Sequence, residues 1–216
     1  LINSFYITFA RAQEFLSAGN YLTAYLKTKP VKGEGAIKIR KVGGMRPESY
    51  TLKVSADGIV AEASDARGAF YAAVTLKMIL MQAQKTDGKA VVNGLLIQDC
   101  PHYGYRGLQM DESRHFFGAE VVKRVLDQMA FLKLNTLHWH LSDDQGFRIE
   151  SKLFPELNTV AATRKYAGLK GNGLPYRGGE YFAIYTQEEI REVVAYAKKL
   201  HIEVIPEIDI PGHTSA

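Results

Sequence analysis

From Tyr105 onward, apolar positions alternate between two periods. Residues 136–141, TLHWHL, alternate with period two: Leu137, Trp139 and Leu141 share one face, and Thr136, His138 and His140, continued by Ser142, share the other. This is a strand, because successive side chains point to opposite faces. Residues 106–111 repeat the pattern, with Leu108 and Met110 opposite Gln109 and Asp111, and EVIPEIDI at 203–210 sets Glu207 and Asp209 together. Between these strands the period becomes helical. Val122, Val125, Leu126, Met129 and Ala130 form the buried stripe of a helix over 119–132, and Ile190, Val193, Val194 and Ala197 line a second. Thr186 and Glu189 make a capping box for the latter, and Lys198 and Lys199 suit its C-terminal dipole.

The first hundred residues are less regular. Residues 2–10 are rich in strand formers, and 11–26 read as a helix interrupted at Gly19-Asn20. AIKIRKV at 36–42, bracketed by glycines, is a half-buried strand. Residues 49–54 and 59–63 form a hairpin around Asp57-Gly58, a pair that readily adopts the positive φ of tight turns. Ser64 or Asp65 caps a helix over 66–82 whose core stripe is Phe70, Val74, the Lys77 stem, Met78 and Met81. Asp87-Gly88 marks a turn, 91–98 contain another strand, and Pro101 disfavours helix at the preceding residue, so a boundary falls near residue 100.

The second part therefore runs strand, helix, strand, helix, strand, each strand carrying polar residues on one face. Strands of a doubly wound sheet are apolar on both sides because helices cover both. Inward-facing polar residues fit a (β/α) barrel, whose full length is about 250 residues. The expected fold is α/β: a small α+β domain over 1–100, then over 101–216 the first strands and helices of a (β/α)8 TIM barrel, incomplete in this chain.

Composition narrows the classes. The 216 residues are 46% hydrophobic, enough for a substantial core, and the net charge of +4 is not gathered into a stripe. The densest basic patches, residues 27–32 and 38–41, read as solvated surface rather than a nucleic-acid site. Cys100 is the only cysteine, so no internal disulfide forms. No apolar run approaches about twenty residues, so no span is expected. The chain starts at Leu1 without a signal peptide, which is compatible with export after removal of a leader.

The chemistry gathers where the barrel strands end, the edge at which such folds bind ligands. Arg114 follows the first strand in DESRH; its guanidinium can hold two neighbouring oxygens or make a surface ion pair. Asp143 and Asp144 follow the HWH strand as base, metal ligand or sugar-hydroxyl acceptor, or as plain turn residues. His213, after Pro-Gly at the tip of the third strand, suits a proton relay or a ligand. His138 and His140, at i and i+2, match a metal pair or two buried hydrogen-bonded histidines. Tyr166, Tyr176, Tyr181, Phe182 and Tyr185 crowd a long connection that either stacks on a sugar ring or packs itself down.

RGLQMDESRHFF, LDQMAFLKLNTLHWHLSDDQGFRIES and EVIPEIDIPGHTSA, in this order, resemble the family 20 glycoside hydrolases, the β-N-acetylhexosaminidases. SYTLKVSADGIVAEASDARGAFYAAVTLKMI is similar to the small domain that precedes their barrel. The resemblance implies exo-acting, retaining hydrolysis of terminal β-linked N-acetylglucosamine or N-acetylgalactosamine, with the substrate's acetamido oxygen as nucleophile. It implies that Arg114 holds hydroxyls of the terminal sugar, that Asp143 and His213 form the relay supporting the general acid, and that neither metal nor other cofactor is used. The implied partners are N-acetylhexosamine-containing glycans, with no nucleic acid or membrane span, and the implied location is extracytoplasmic.

The family's Asp-Glu pair, which orients the acetamide and protonates the leaving group, maps beyond Ala216, as do its pocket tryptophans. Phe147 stands where many relatives carry Trp. These 216 residues alone are thus expected to be inactive, and to associate with the remainder of a barrel or with themselves. Two alternatives stay open: a non-catalytic carbohydrate-binding or assembly module, and a metal-dependent hydrolase built on His138, His140 and Glu207.

Overall fold

The computed structural model describes residues 7–9, 14–27, 37–86, 89–164 and 181–216, which fall into two compact units, Leu1–Gly104 and Tyr105–Ala216. Asp87-Gly88, Tyr166, Tyr176 and most of the basic patch at 27–32 lie outside the described residues. Among the described residues, no helix is long and apolar enough to cross a membrane.

The first unit runs β1 (Ile7–Phe9), α1 (Leu16–Leu26), β2 (Ile37–Lys41), β3 (Tyr50–Ser55), β4 (Gly58–Ala63), α2 (Ala66–Gln82), β5 (Gln84–Thr86), β6 (Lys89–Val91) and β7 (Leu95–Asp99). Its main sheet has the order β1-β2-β4-β3-β7. β3 and β4 form the expected hairpin, with Gly58 at φ 129°. Alternation buries Ile37 and Ile39 on β2, Leu52 and Val54 on β3, and Ile59, Ala61 and Ala63 on β4, the face against which α2 packs. Asp65 caps α2, accepting from the Gly68 N–H at 2.9 Å and the Glu48 N–H at 2.8 Å.

Three details depart from the sequence pattern. α1 runs through Gly19-Asn20 without interruption, because Ala18 and Gly19 lie on its buried side, where packing offsets glycine's helix penalty of about 1 kcal/mol. The core of α2 is wider than its methionine stripe: lying between the sheet and α1, it buries Ala69, Tyr71, Ala72, Ala73, Leu76 and Leu80 with Phe70 and Val74, whereas Met81 is 54% exposed at the last turn. Residues 91–98 divide between the end of β6 and β7.

The second unit runs β8 (Gly107–Asp111), α3 (Ala119–Phe131), β9 (Thr136–His140), β10 (Ser142–Asp143), β11 (Gly146–Phe147), α4 (Pro155–Thr159), β12 (Thr163–Arg164), β13 (Tyr181–Phe182), α5 (Gln187–Lys199) and β14 (Glu203–Glu207). β8, β9 and β14 form a parallel sheet in sequential order, with β9 in the middle. Consecutive strands as neighbours, with a helix before each return, make this the opening part of a TIM barrel, and among the described residues the sheet is not closed. Leu137, Trp139 and Met110 are buried on the face away from the polar row. α3 buries Val122, Leu126, Met129 and Ala130 as expected. α5 has the full Thr186–Glu189 capping box but buries only Val193 and Ala197; Val194 is exposed, since α5 packs on α3 and β14 along a narrow seam. β14 ends at Glu207, so Asp209 lies in the loop beyond, where its N–H donates to Ser142 Oγ at 3.0 Å.

Candidate active site

The strand register assembles the site. Asp111, His140 and Glu207, the last residues of β8, β9 and β14, are direct partners across the sheet. Side chains of directly paired residues leave the same face, so this row of acid, imidazole and acid forms one wall. The segments just past the three strands then supply Arg114, Asp143 and His213.

Asp143 is the hub, with a side chain 2% exposed. Its Oδ2 lies 2.6 Å from Arg114 Nη2 and 3.0 Å from His140 Nε2. Its Oδ1 lies 3.2 Å from His213 Nδ1 and accepts the Asp144 N–H at 2.7 Å. Burial opposes the charged carboxylate, but the Asp144 N–H, His140, Arg114 and His213 prevail and hold its pKa below the ordinary value. Arg114 is fixed on three sides: Nε donates to Gln145 Oε1 at 3.0 Å, Nη1 to Asp111 Oδ2 at 2.8 Å, and Nη2 meets Asp143. Nη1 is also 3.2 Å from His140 Nε2. The Asp111 carboxylate shapes the loop as well, because Oδ1 accepts the backbone N–H groups of Ser113 and Arg114 at 3.1 and 3.0 Å. Arg164 donates to the Arg114 carbonyl from outside.

His213 is 58% exposed and adopts φ 58°, a left-handed conformation that costs a non-glycine residue roughly 1–2 kcal/mol. The contact to Asp143 engages Nδ1 and leaves Nε2 for a reacting group. That is the arrangement of a carboxylate-oriented imidazole acid–base. Asp144 is a side participant, 3.9 Å from His213, and accepts the Ser215 N–H at 3.2 Å.

Glu207 Oε2 sits between two histidines, 2.6 Å from His138 Nε2 and 2.7 Å from His140 Nδ1. Both approaches are close enough for ion pairs, but neither is aligned for a hydrogen bond. Ligand atoms around a tetrahedral metal stand roughly 3.3 Å apart, wider than either separation. His140, Asp143 and Asp209 also gather within 4.8 Å, but the Arg114 guanidinium already neutralises Asp143. The donor geometry suits hydrogen-bonded charged groups better than an ion.

Beneath the rim, Arg148 is fully buried and donates to five backbone carbonyls: Glu112 at 3.2, Ser113 at 3.0, Gln145 at 3.3, Ala162 at 2.9 and Ala183 at 3.0 Å. It ties the loop bearing Arg114 to the turn bearing Asp143. Gly146 leaves room for it, since a Cβ there would stand 2.3 Å from the guanidinium carbon. Glu112, also fully buried, accepts the Phe117 N–H at 2.8 Å; burial pushes its pKa up against the pull of its donors and Arg148.

Arg114, Asp143 and His213, far apart in the chain, are thus brought together. Of the aromatic connection, Tyr185 is buried against Trp139 and Phe116, with ring centroids 4.9 and 4.4 Å away, so for this residue the packing reading holds; Phe182 is exposed. Sequence reasoning assigned nothing to Arg148 or to Glu112 beyond its loop. Its available signal was an arginine and a glutamate placed among buried positions, visible only once Gly146, Leu141 and Trp139 are known to be interior.

The description "Glycosyl hydrolase family 20, catalytic domain" matches residues 103–216, and "Glycosyl hydrolase family 20, domain 2" matches residues 8–100. A β-hexosaminidase of Vibrio furnissii is 41% identical over 192 residues, covering 88% of this chain and 29% of that protein. The β-hexosaminidase subunit beta of Homo sapiens is 36% identical, covering 77% of this chain and 27% of the subunit. Among solved structures, the GH20 β-N-acetylhexosaminidase of Streptomyces coelicolor A3(2) superposes with a TM-score of 0.85 at 34% identity, over 99% of this chain and 44% of that one. The GH20 exo β-N-acetylglucosaminidase of Vibrio harveyi in complex with N-acetylglucosamine gives 0.83 at 31% identity, over 100% and 34%. The chain therefore spans between about a quarter and under half of the length of these relatives. With more than half of its residues matched by the catalytic-domain description and the preceding domain matched in order, the chain belongs to glycosyl hydrolase family 20.

Proposed function

We propose that this chain carries the small domain and one wall of the active site of a β-N-acetylhexosaminidase, which removes terminal β-linked N-acetylhexosamine with retention. The observation that carries the reading is the Asp143 carboxylate, buried and shared by Arg114, His140 and His213 at the ends of three successive parallel strands. The names of the relatives and the N-acetylglucosamine complex of the Vibrio harveyi enzyme support the substrate class.

Arg114 is the sugar-hydroxyl anchor. Its three firm contacts leave N–H groups unused, and its side chain is 44% exposed. Fixed by Asp111, Gln145 and Asp143, it meets a sugar hydroxyl without being reordered. The Asp143–His213 pair is the relay: Asp143 orients His213 through Nδ1, and Nε2 exchanges a proton with the acid that protonates the leaving oxygen. The outer edges of β8 and β14, unpaired among the described residues, are where further strands or a second copy add. An extracytoplasmic place of action goes with the family resemblance.

Calorimetric titration with N-acetylglucosamine tests the anchor. Arg114→Ala is expected to weaken binding at least about tenfold, since hydrogen bonds to a charged group contribute about 1.5–3 kcal/mol. Equal affinity of variant and parent would remove Arg114 from the sugar site.

A further inference from the structure

We propose that Glu207 and His140 act as a positioning pair on the far side of Asp143, with Glu207 holding His140 as the imidazolium whose Nε2–H is donated to Asp143 Oδ2, while His213 meets Oδ1. The inference rests on the reading of Asp143 and His213 as the relay and extends it one strand further, to β14.

The geometry carries the argument. His140 is 3% exposed and lies at the centre of the in-register row, with Asp111 beside it on β8 and Glu207 beside it on β14. Three further groups approach the ring: Asp143 at 3.0 Å, Arg114 at 3.2 Å and, through the shared Glu207 oxygen, His138 on β9. The Asp209 carboxylate stands within 4.8 Å of the His140 and Asp143 ligand atoms. Both ring nitrogens thus face carboxylate oxygen, Nδ1 at Glu207 and Nε2 at Asp143. The imidazolium suits both, donating Nε2–H to Asp143 and pairing its charge with Glu207, whereas a neutral ring carries one N–H and would set a lone pair against one of the two acids.

The competing arrangement is a neutral ring whose Nε2 accepts from Arg114. That would leave Asp143 Oδ2 to Arg114 alone and set two lone pairs opposite each other 3.0 Å apart. Burial disfavours the charged ring, but Glu207 and Asp143, supported by Asp111, outweigh it and raise the pKa of His140. The same contacts lower that of Glu207 against its own burial. Glu207 therefore controls which proton faces Asp143, and through it how strongly Asp143 draws the Nδ1–H of His213.

Ring-nitrogen NMR of the 216-residue chain across a pH series reads this directly, because nitrogen shifts distinguish imidazolium from each neutral tautomer. In the parent, His140 is expected to show both N–H groups at neutral pH and to titrate above the ordinary value of about 6.5. Glu207→Gln keeps the shape and removes the charge, and it is expected to lower the His140 midpoint, because Glu207 is among the groups that raise it. A parent His140 that is neutral at pH about 7, with unprotonated Nε2, would overturn the proposal. So would a Glu207→Gln chain in which the His140 midpoint does not fall. Should that variant fail to fold, the parent titration alone decides. None of these readouts uses the sugar, so equal N-acetylglucosamine affinity of Arg114→Ala and parent removes the sugar-site reading of Arg114 and leaves the Glu207–His140 pair standing.

Discussion

Arg148 shows how one side chain holds a site it never enters. A guanidinium offers five N–H donors in a fixed plane, and here they meet carbonyls from both segments that carry the chemistry. Replacing it with Met keeps much of the volume but removes those five hydrogen bonds, leaves the Ala162 carbonyl only its bond from the Ala183 N–H, and leaves Glu112 without its countercharge. Arg148→Met is expected to cost about 3–5 kcal/mol of unfolding free energy, the range for breaking a buried charged network. Urea denaturation checks this, and a loss below about 1 kcal/mol would show that water replaces the guanidinium. Arg114 and His213 could be read from the chain because they follow strand ends in short loops. Arg148 could not, because its role depends on five carbonyls up to 36 positions away in sequence.

At the scale of elements, Gly68 opposes local propensity to packing. In the first turns of α2, alanine is the better helix former by about 1 kcal/mol. A Cβ at this position would stand 2.4 Å from the Ser49 carbonyl oxygen, a backbone atom that also accepts the Ser64 N–H at 3.1 Å and so cannot readily move. Overpacking typically costs about 1–3 kcal/mol, so the clash outweighs the propensity. Gly68→Ala is expected to lower the melting temperature, and a rise would mean that α2 slides along the sheet. Element types were legible throughout because period two and period 3.6 differ strongly. The width of each buried face was not. α2 has partners on two sides and buries more than its stripe, α5 has a narrow seam and buries less, and the number of partners is absent from local pattern.

For the second unit as a whole, charge sets a pH window. The pKa values of Asp143 and Glu207 are lowered on folding, so their contribution is present above the unfolded carboxylate values, about 4, and is lost as pH falls through the folded ones. That of His140 is raised, so its contribution is fully present below about 6.5 and is lost as pH rises through the folded value. Glu112 acts in the same direction as His140, since its raised value penalises ionisation in the fold. Stability is expected to peak between pH about 4.5 and 6.5, and thermal melts across pH 3–9 (roughly the span of these titrations) check it. A melting temperature still climbing at the alkaline end would show that His140 is not held charged.

The sequence by itself determined the alternation that makes β8, β9 and β14 strands, the stripe of α3, the Thr186–Glu189 cap, the Asp57-Gly58 hairpin and the placement of Arg114, Asp143 and His213 after strand ends. Each depends on residues within one or two turns of chain. Tertiary structure alone decided that Asp111, His140 and Glu207 stand in one row, that Arg114 and His213 share Asp143, and that Arg148 lies beneath them. These facts depend on the register between strands as much as 67 residues apart. Register is fixed by hydrogen bonding and burial over the whole sheet, and no local period encodes it.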